Sequence, residues 1–80
     1  MYKWIVDPGH AWLRVPLSEI TDEMAEKISN YSFKNSRQAY LEEDCDARIF
    51  IDAKKLDYQS IPVKYVEYFN RSKTRFHEEV

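Results

Sequence analysis

Eighty residues with a formal net charge of −2 make one domain spanning residues 1–80, and a chain of this size hides only about 60% of its unfolded surface, which argues against a deep enclosed pocket. An apolar content of 44%, with two Trp, six Tyr and four Phe, is too rich for a disordered chain. The near-balanced charge supplies no global field to hold a phosphate backbone and no acidity to mimic one, so any such partner must be met by a local patch.

One cysteine and two histidines exclude a disulfide framework, and they close no tetrahedral zinc site without carboxylate help. No basic leader precedes an apolar run, and no apolar stretch approaches bilayer length. The expected address is the cytoplasm, without membrane contact.

The opening YKWIVDPGHAWLRVP reads as two β-rich runs around Asp7-Pro8-Gly9-His10. Pro at the second and Gly at the third position fit a type II turn, in which Gly takes positive φ. Pairing Val6 with Ala11 sets Trp4 opposite Leu13 and Tyr2 opposite Val15, giving a core face of Tyr2, Trp4, Val6, Ala11, Leu13 and Val15. The other face carries Lys3, Ile5, Trp12 and Arg14, and it needs a cover or a partner.

After Pro16, the residues Leu17, Ile20, Met24, Ile28 and Tyr31 recur at helical spacing. Ser18 and Thr21 are both candidate caps, which suggests a break inside the segment. NYSFKNSRQAYLE predicts a second hairpin with Asn35-Ser36 at its tip and Tyr31, Phe33 and Tyr40 in its strands. A second helix is predicted from Glu43 to about Leu56, with acids in its first turn, Lys54 and Lys55 in its last, and Ile49, Phe50, Ala53 and Leu56 on its buried side. VKYVEYFN is a strand candidate, and residues 71–80 form a basic tail that either frays or extends the sheet as an edge strand. The expected fold is α+β, a small antiparallel sheet of two hairpins plus a C-terminal strand with two helices packed on one face.

Chemistry concentrates in YLEEDCDA, where Glu42, Glu43, Asp44 and Asp46 surround Cys45. The plain reading is helix initiation. A calcium loop requires alternating oxygen ligands and a central Gly that are missing here, so no metal and no cofactor are expected. Paired catalytic acids need unlike environments around a cleft, which adjacent acids at a helix start do not supply. The remaining reading is a negative patch that docks on a basic partner. Neighbouring anions disfavour a Cys45 thiolate, and His10 and His77 signal no Cys/His pair, so an enzyme is the minority reading.

Lys3, Ile5, Trp12 and Arg14, with Lys64, Arg71, Lys73 and Arg75, form a second candidate surface, basic and aromatic. It suits single-stranded nucleic acid; the competing reading is that alternating bases block edge-to-edge aggregation. Tyr58, Tyr65 and Tyr68 are candidate interface anchors or core. Self-association through an exposed Ile5 and Trp12 face, giving a homodimer, is a further alternative.

Three stretches carry a resemblance. Gly9, His10, Trp12, Leu13, Val15 and Pro16 read as a Gly-His-x-Trp-Leu-x-Val-Pro opening, Ile28, Ser29, Tyr31 and Ser32 as Ile-Ser-x-Tyr-Ser, and residues 40–47 as Tyr-Leu-Glu-Glu-Asp-Cys-Asp-Ala. With these motifs, and over most of its length, the chain resembles a family of short, mostly uncharacterised proteins carried by phages, plasmids and bacterial genomes. It departs from that pattern in lacking glycines before Ile28 and in the second hairpin. The resemblance brings no catalytic set or cofactor; it implies a mobile-element setting, in which small proteins often clamp onto a host protein or ribonucleoprotein. The expected function is therefore a non-enzymatic protein-binding module, in its most concrete form an inhibitor of a bacterial defence complex as anti-CRISPR proteins are. Its acidic patch would occupy a basic channel of the target. The alternative is a small single-stranded nucleic-acid-binding protein using the basic aromatic face.

Overall fold

The opening hairpin forms in the register its side chains dictate. The computed structural model describes residues 2–69 and 73–78, beginning with β1 (Lys3–Val6) and β2 (Ala11–Pro16). They pair antiparallel with Val6 opposite Ala11 and Trp4 opposite Leu13. The turn differs from expectation, because no glycine has positive φ. Instead the Asp7 carboxylate accepts the Gly9 and His10 N–H groups at 2.9 and 2.8 Å, and the Asp7 N–H donates to the His10 carbonyl at 3.0 Å. A side chain that mimics backbone in this way removes the need for a left-handed residue.

The segment after Pro16 breaks as expected, but of the two candidate caps only Thr21 acts as one, because Ser18 lies inside the first turn, which has no side-chain cap. A 3-10 turn, Leu17–Glu19, precedes α1 (Asp22–Lys27), whose Met24 N–H donates to Thr21 Oγ1 at 3.2 Å. Met24 and Ile28 are buried, whereas Tyr31 lies beyond the helix and outside any strand, 68% exposed. It belongs neither to the helical stripe nor to the second hairpin, which consists of β3 (Phe33–Lys34) and β4 (Gln38–Glu42). Asn35 closes that hairpin, its side-chain oxygen accepting from the N–H groups of Arg37 and Gln38 at 2.9 and 2.8 Å.

Helix α2 (Ala47–Lys54) starts four residues later than predicted from Glu43, and no acid stands in its first turn. Residues 43–46 form a turn of their own. Ala47, Phe50 and Ile51 face the core, with Ile49 and Leu56 half-buried against it and Ala53 exposed. Lys55 ends the helix at φ 55°, and the Leu56 N–H returns to the Ile51 carbonyl at 3.0 Å, a left-handed stop of the kind glycine usually provides.

Among the described residues, six strands form one sheet in the order β5-β1-β2-β4-β3-β6, with β5 (Val63–Tyr65) and β6 (Thr74–Arg75) at the two edges. The fold is α+β, but the sheet is mixed rather than antiparallel, because β5 runs parallel to β1. The cause is α2. Two antiparallel pairings, β1 with β2 and β2 with β4, make β4 parallel to β1, and a helical crossover from β4 delivers the next strand in that same direction.

One face of the sheet packs Trp4, Leu13, Val15 and Leu41 against Met24, Phe50 and Ile51 from the helices and Ile28 just after α1. Each such fully buried side chain contributes about 1.5–3 kcal/mol relative to exposure. The opposite face was expected to display Ile5 and Trp12, and this is overturned: Ile5 is 6% and Trp12 2% exposed. Both join a second cluster with Phe33 and Phe69, edged by Tyr40 and Val66. The chain leaves β5 at one edge, sets Val66 and Phe69 on this face, and returns as β6 at the other edge. The cover is therefore intramolecular, and the exposed apolar face assumed for a homodimer is absent.

The tail is an edge strand over its described part. Thr74 and Arg75 pair with β3, the Phe76 N–H donates to the Ser32 carbonyl at 2.9 Å, and the Phe76 ring enters the main core. His77 fastens it further: its N–H donates to Asn30 Oδ1 at 2.7 Å, and its ring Nε2–H donates to the Ile28 carbonyl. The remainder of the tail, including Arg71, lies outside the described residues.

Candidate functional site

The four carboxylates of the acidic stretch separate into different roles. Asp46 is only 1% exposed, and its carboxylate accepts the Ser29 N–H at 3.1 Å, the Ser29 hydroxyl at 2.7 Å and the Ser32 hydroxyl at 2.5 Å. Ser32 Oγ in turn accepts the Glu42 N–H at 2.9 Å. A buried carboxylate holding three donors ties the α1–β3 connection to the start of α2, and so Asp46 cannot be part of an exposed patch. Glu43 is half-buried and accepts the Ala11 N–H at 3.2 Å, joining the same turn to β2. Glu42 accepts the Asp44 and Cys45 N–H groups, both at 3.0 Å, which caps the turn from within. Asp44 is exposed, and its carboxylate has no hydrogen bond or ion pair among the described residues. The patch expected from Glu42, Glu43, Asp44 and Asp46 therefore reduces to Asp44 with the half-buried Glu42 beside it.

These two acids line an open groove of about 390 Å³ together with His10, Tyr31, Cys45 and Arg75, over a floor contributed by Trp12 and Phe33. The His10 and Trp12 rings lie 5.5 Å apart between centroids. Arg75 stands 5.0 Å above the Phe33 ring, and its guanidinium also donates to the Asn30 carbonyl at 2.9 Å. The groove thus has an aromatic floor, an acidic end and a basic end. Its residues come from separated stretches of the chain: His10 and Trp12 from the first hairpin, Tyr31 from the connection before β3, Glu42, Asp44 and Cys45 from the acidic stretch, and Phe33 and Arg75 from β3 and β6. The sequence did not announce this meeting, since the stretches are joined through the sheet; the internal stitches Ser29–Asp46 and Ala11–Glu43 are what hold them together.

His10 and Cys45 share the groove, a proximity unsignalled by their spacing in the chain. The Cys45 thiol is nevertheless held above its ordinary pKa, first by partial desolvation, then by the charges of Glu42, Asp46 and Asp44 and by hydrogen bonding to Glu42. These influences all oppose the thiolate a nucleophile needs. Among the described residues, no three His, Cys, Asp or Glu side chains come together so as to hold a metal ion.

The basic aromatic surface is divided in the same way. Ile5 and Trp12 are covered, with Phe69 stacked on the indole at 3.9 Å and 15°. Lys3 and Arg14, half-buried, stand directly opposite each other across β1 and β2. Tyr65 and Tyr68 are exposed near the β5 edge, and Tyr58, also exposed, leans on Trp4 with centroids 5.0 Å apart. Among the described residues, no helix is long and apolar enough to cross a membrane.

Comparison of the chain with protein-family models, with curated proteins and with solved structures returns no match.

Proposed function

We propose that the chain is a non-enzymatic protein-binding module and that the groove between His10 and Arg75 is where its partner docks. The observation that carries this reading is the pairing of an unpartnered carboxylate, Asp44, with an exposed aromatic, Tyr31, on the rims of one aromatic-floored groove. Such a groove suits an extended segment of a partner carrying a basic side chain, whose charge meets Asp44 and Glu42 while its aliphatic stem lies against the exposed Tyr31 ring. The raised Cys45 thiol supports binding over nucleophilic chemistry. The mobile-element resemblance gives the proposal its concrete form: an inhibitor that clamps a basic surface of a bacterial defence complex, using Asp44 and Glu42 where four acids were first expected.

The test is retention of lysate proteins on the tagged chain after nuclease treatment, compared among the wild type, Asp44→Lys, Tyr31→Ala and a control substitution at the exposed Gln59. A complex kept by the wild type and the control, and lost by both groove variants at unchanged melting temperature, is the expected result. A complex kept equally by all four forms overturns the assignment.

A further inference from the structure

We infer that the sheet face opposite the helices holds a phosphate-binding pocket centred on Arg14, separate from the protein-docking groove. A depression of about 170 Å³ on this face is lined by Arg14, Lys64 and Lys73 together with Tyr40 and Tyr68, and no carboxylate is among its described lining residues.

Three independent observations point to a bound anion. First, Nε of Arg14 is buried and has no hydrogen-bond partner among the described residues. An unsatisfied donor on a charged group is costly to bury, and an oxyanion bound at the guanidinium offsets that cost. Second, Lys3 stands directly opposite Arg14 across the β1–β2 ladder. Like charges in that relation destabilise a sheet unless a counter-charge lies between or above them. None of Lys3, Arg14 and Lys64 forms an ion pair among the described residues. Third, the Lys73 ammonium lies 4.8 Å from the Tyr40 ring centroid and 4.9 Å from that of Phe69. Ring contacts therefore hold a third cation at the rim of the pocket instead of leaving it to wander through solvent.

Several cations around one planar guanidinium fit a phosphate group better than a singly charged carboxylate, because arginine's fork matches phosphate geometry and the added lysines match its second charge. The phosphate has more than one source: the free ion, a mononucleotide, or the backbone of a nucleic acid. Base stacking on Trp12 or Phe33 is no part of the inference, since both rings are buried.

The experiment is thermal melting of the full chain in increasing inorganic phosphate against sodium chloride of equal ionic strength, repeated with a 5′-mononucleotide and with a short single-stranded oligonucleotide. Phosphate at tenfold excess over its Kd is expected to raise Tm by about 6 °C beyond the chloride series, and Arg14→Gln and Lys64→Gln should each abolish or sharply reduce that rise. Lys64 is exposed, so its variant remains informative if the Arg14 variant folds poorly. A lower midpoint for the oligonucleotide than for inorganic phosphate supports the pocket and names a nucleic-acid backbone as the source; similar midpoints support it and name a free or singly attached phosphate. Coincident phosphate and chloride curves, or a full shift retained in Lys64→Gln, overturn the inference.

Discussion

Phe69 lies flat on Trp12, with ring centroids 3.9 Å apart and planes 15° from parallel. This one contact turns an open sheet face into a second core, because Ile5 and Phe33 close around the same pair. Replacing Phe69 with Ala removes the lid, and truncation of a buried aromatic costs about 3–5 kcal/mol. Urea unfolding should show that loss, accompanied by a red shift of tryptophan emission in the native baseline. A loss below about 1 kcal/mol would mean that the rest of the chain covers the face without Phe69.

Asp46 is the polar counterpart of that lid. Its carboxylate collects three donors from Ser29 and Ser32, and hydrogen bonds to a charged group contribute about 1.5–3 kcal/mol each before non-additivity is considered. Asp46→Ala should therefore destabilise the chain by at least about 3 kcal/mol, whereas Asp44→Ala, two residues away and exposed, should stay within about 0.5 kcal/mol. Equilibrium denaturation of the two variants side by side decides between a stitched turn and a set of equivalent surface acids.

The reactivity of Cys45 follows from the same turn. Desolvation and the charges of Glu42, Asp46 and Asp44 disfavour its thiolate, so the pH profile of its alkylation by iodoacetamide should have a midpoint above the value of about 8.5 for a free cysteine. Glu42→Gln keeps an oxygen for the Asp44 and Cys45 N–H groups while removing the charge, and it should move the midpoint down. A midpoint at or below that of a free thiol in the wild type would reopen a nucleophilic role.

A pH window follows from the bond that Tyr2 donates to Glu19 at 2.5 Å, with Lys54 a further 3.3 Å contact of the same carboxylate. The Glu19 carboxyl is held below its ordinary pKa chiefly by Tyr2 and further by Lys54, against partial desolvation, while the Tyr2 phenol is raised chiefly by Glu19. A lowered acid contributes stability that is present above its unfolded pKa and lost as pH falls through its folded one. A raised phenol contributes stability that is present below its unfolded pKa and lost as pH rises through its folded one. The melting-temperature difference between wild type and Tyr2→Phe should thus form a plateau across neutral pH and shrink at both acidic and strongly alkaline ends. A difference independent of pH would show that ionisation of Glu19 and Tyr2 is not linked to folding through this bond.

What was legible in the sequence was local. Alternation across Pro8-Gly9 set the register of the first hairpin, and the Thr21 cap announced the start of α1, because strand period and capping chemistry act within a few residues. The acidic stretch misled for a physical reason: acids that favour a helix N-terminus are the same residues that close turns and accept backbone N–H groups, and only tertiary partners such as Ser29 and Ser32 distinguish the roles. The parallel β5 was hidden because parallel pairing has no turn signature. The groove was hidden because its walls come from residues as distant as His10 and Arg75.

The route of the chain between its two edge strands also has a meaning in time. During synthesis the first hairpin, α1 and the second hairpin leave the ribosome with Ile5, Trp12 and Phe33 still facing water, because their cover is Phe69 and the flanking strands β5 and β6 are completed only by residue 75. The nascent sheet therefore carries a sticky face and two unpaired edges until its last segments emerge. A copy stalled before Phe69 would present a surface for misassembly that the finished molecule conceals.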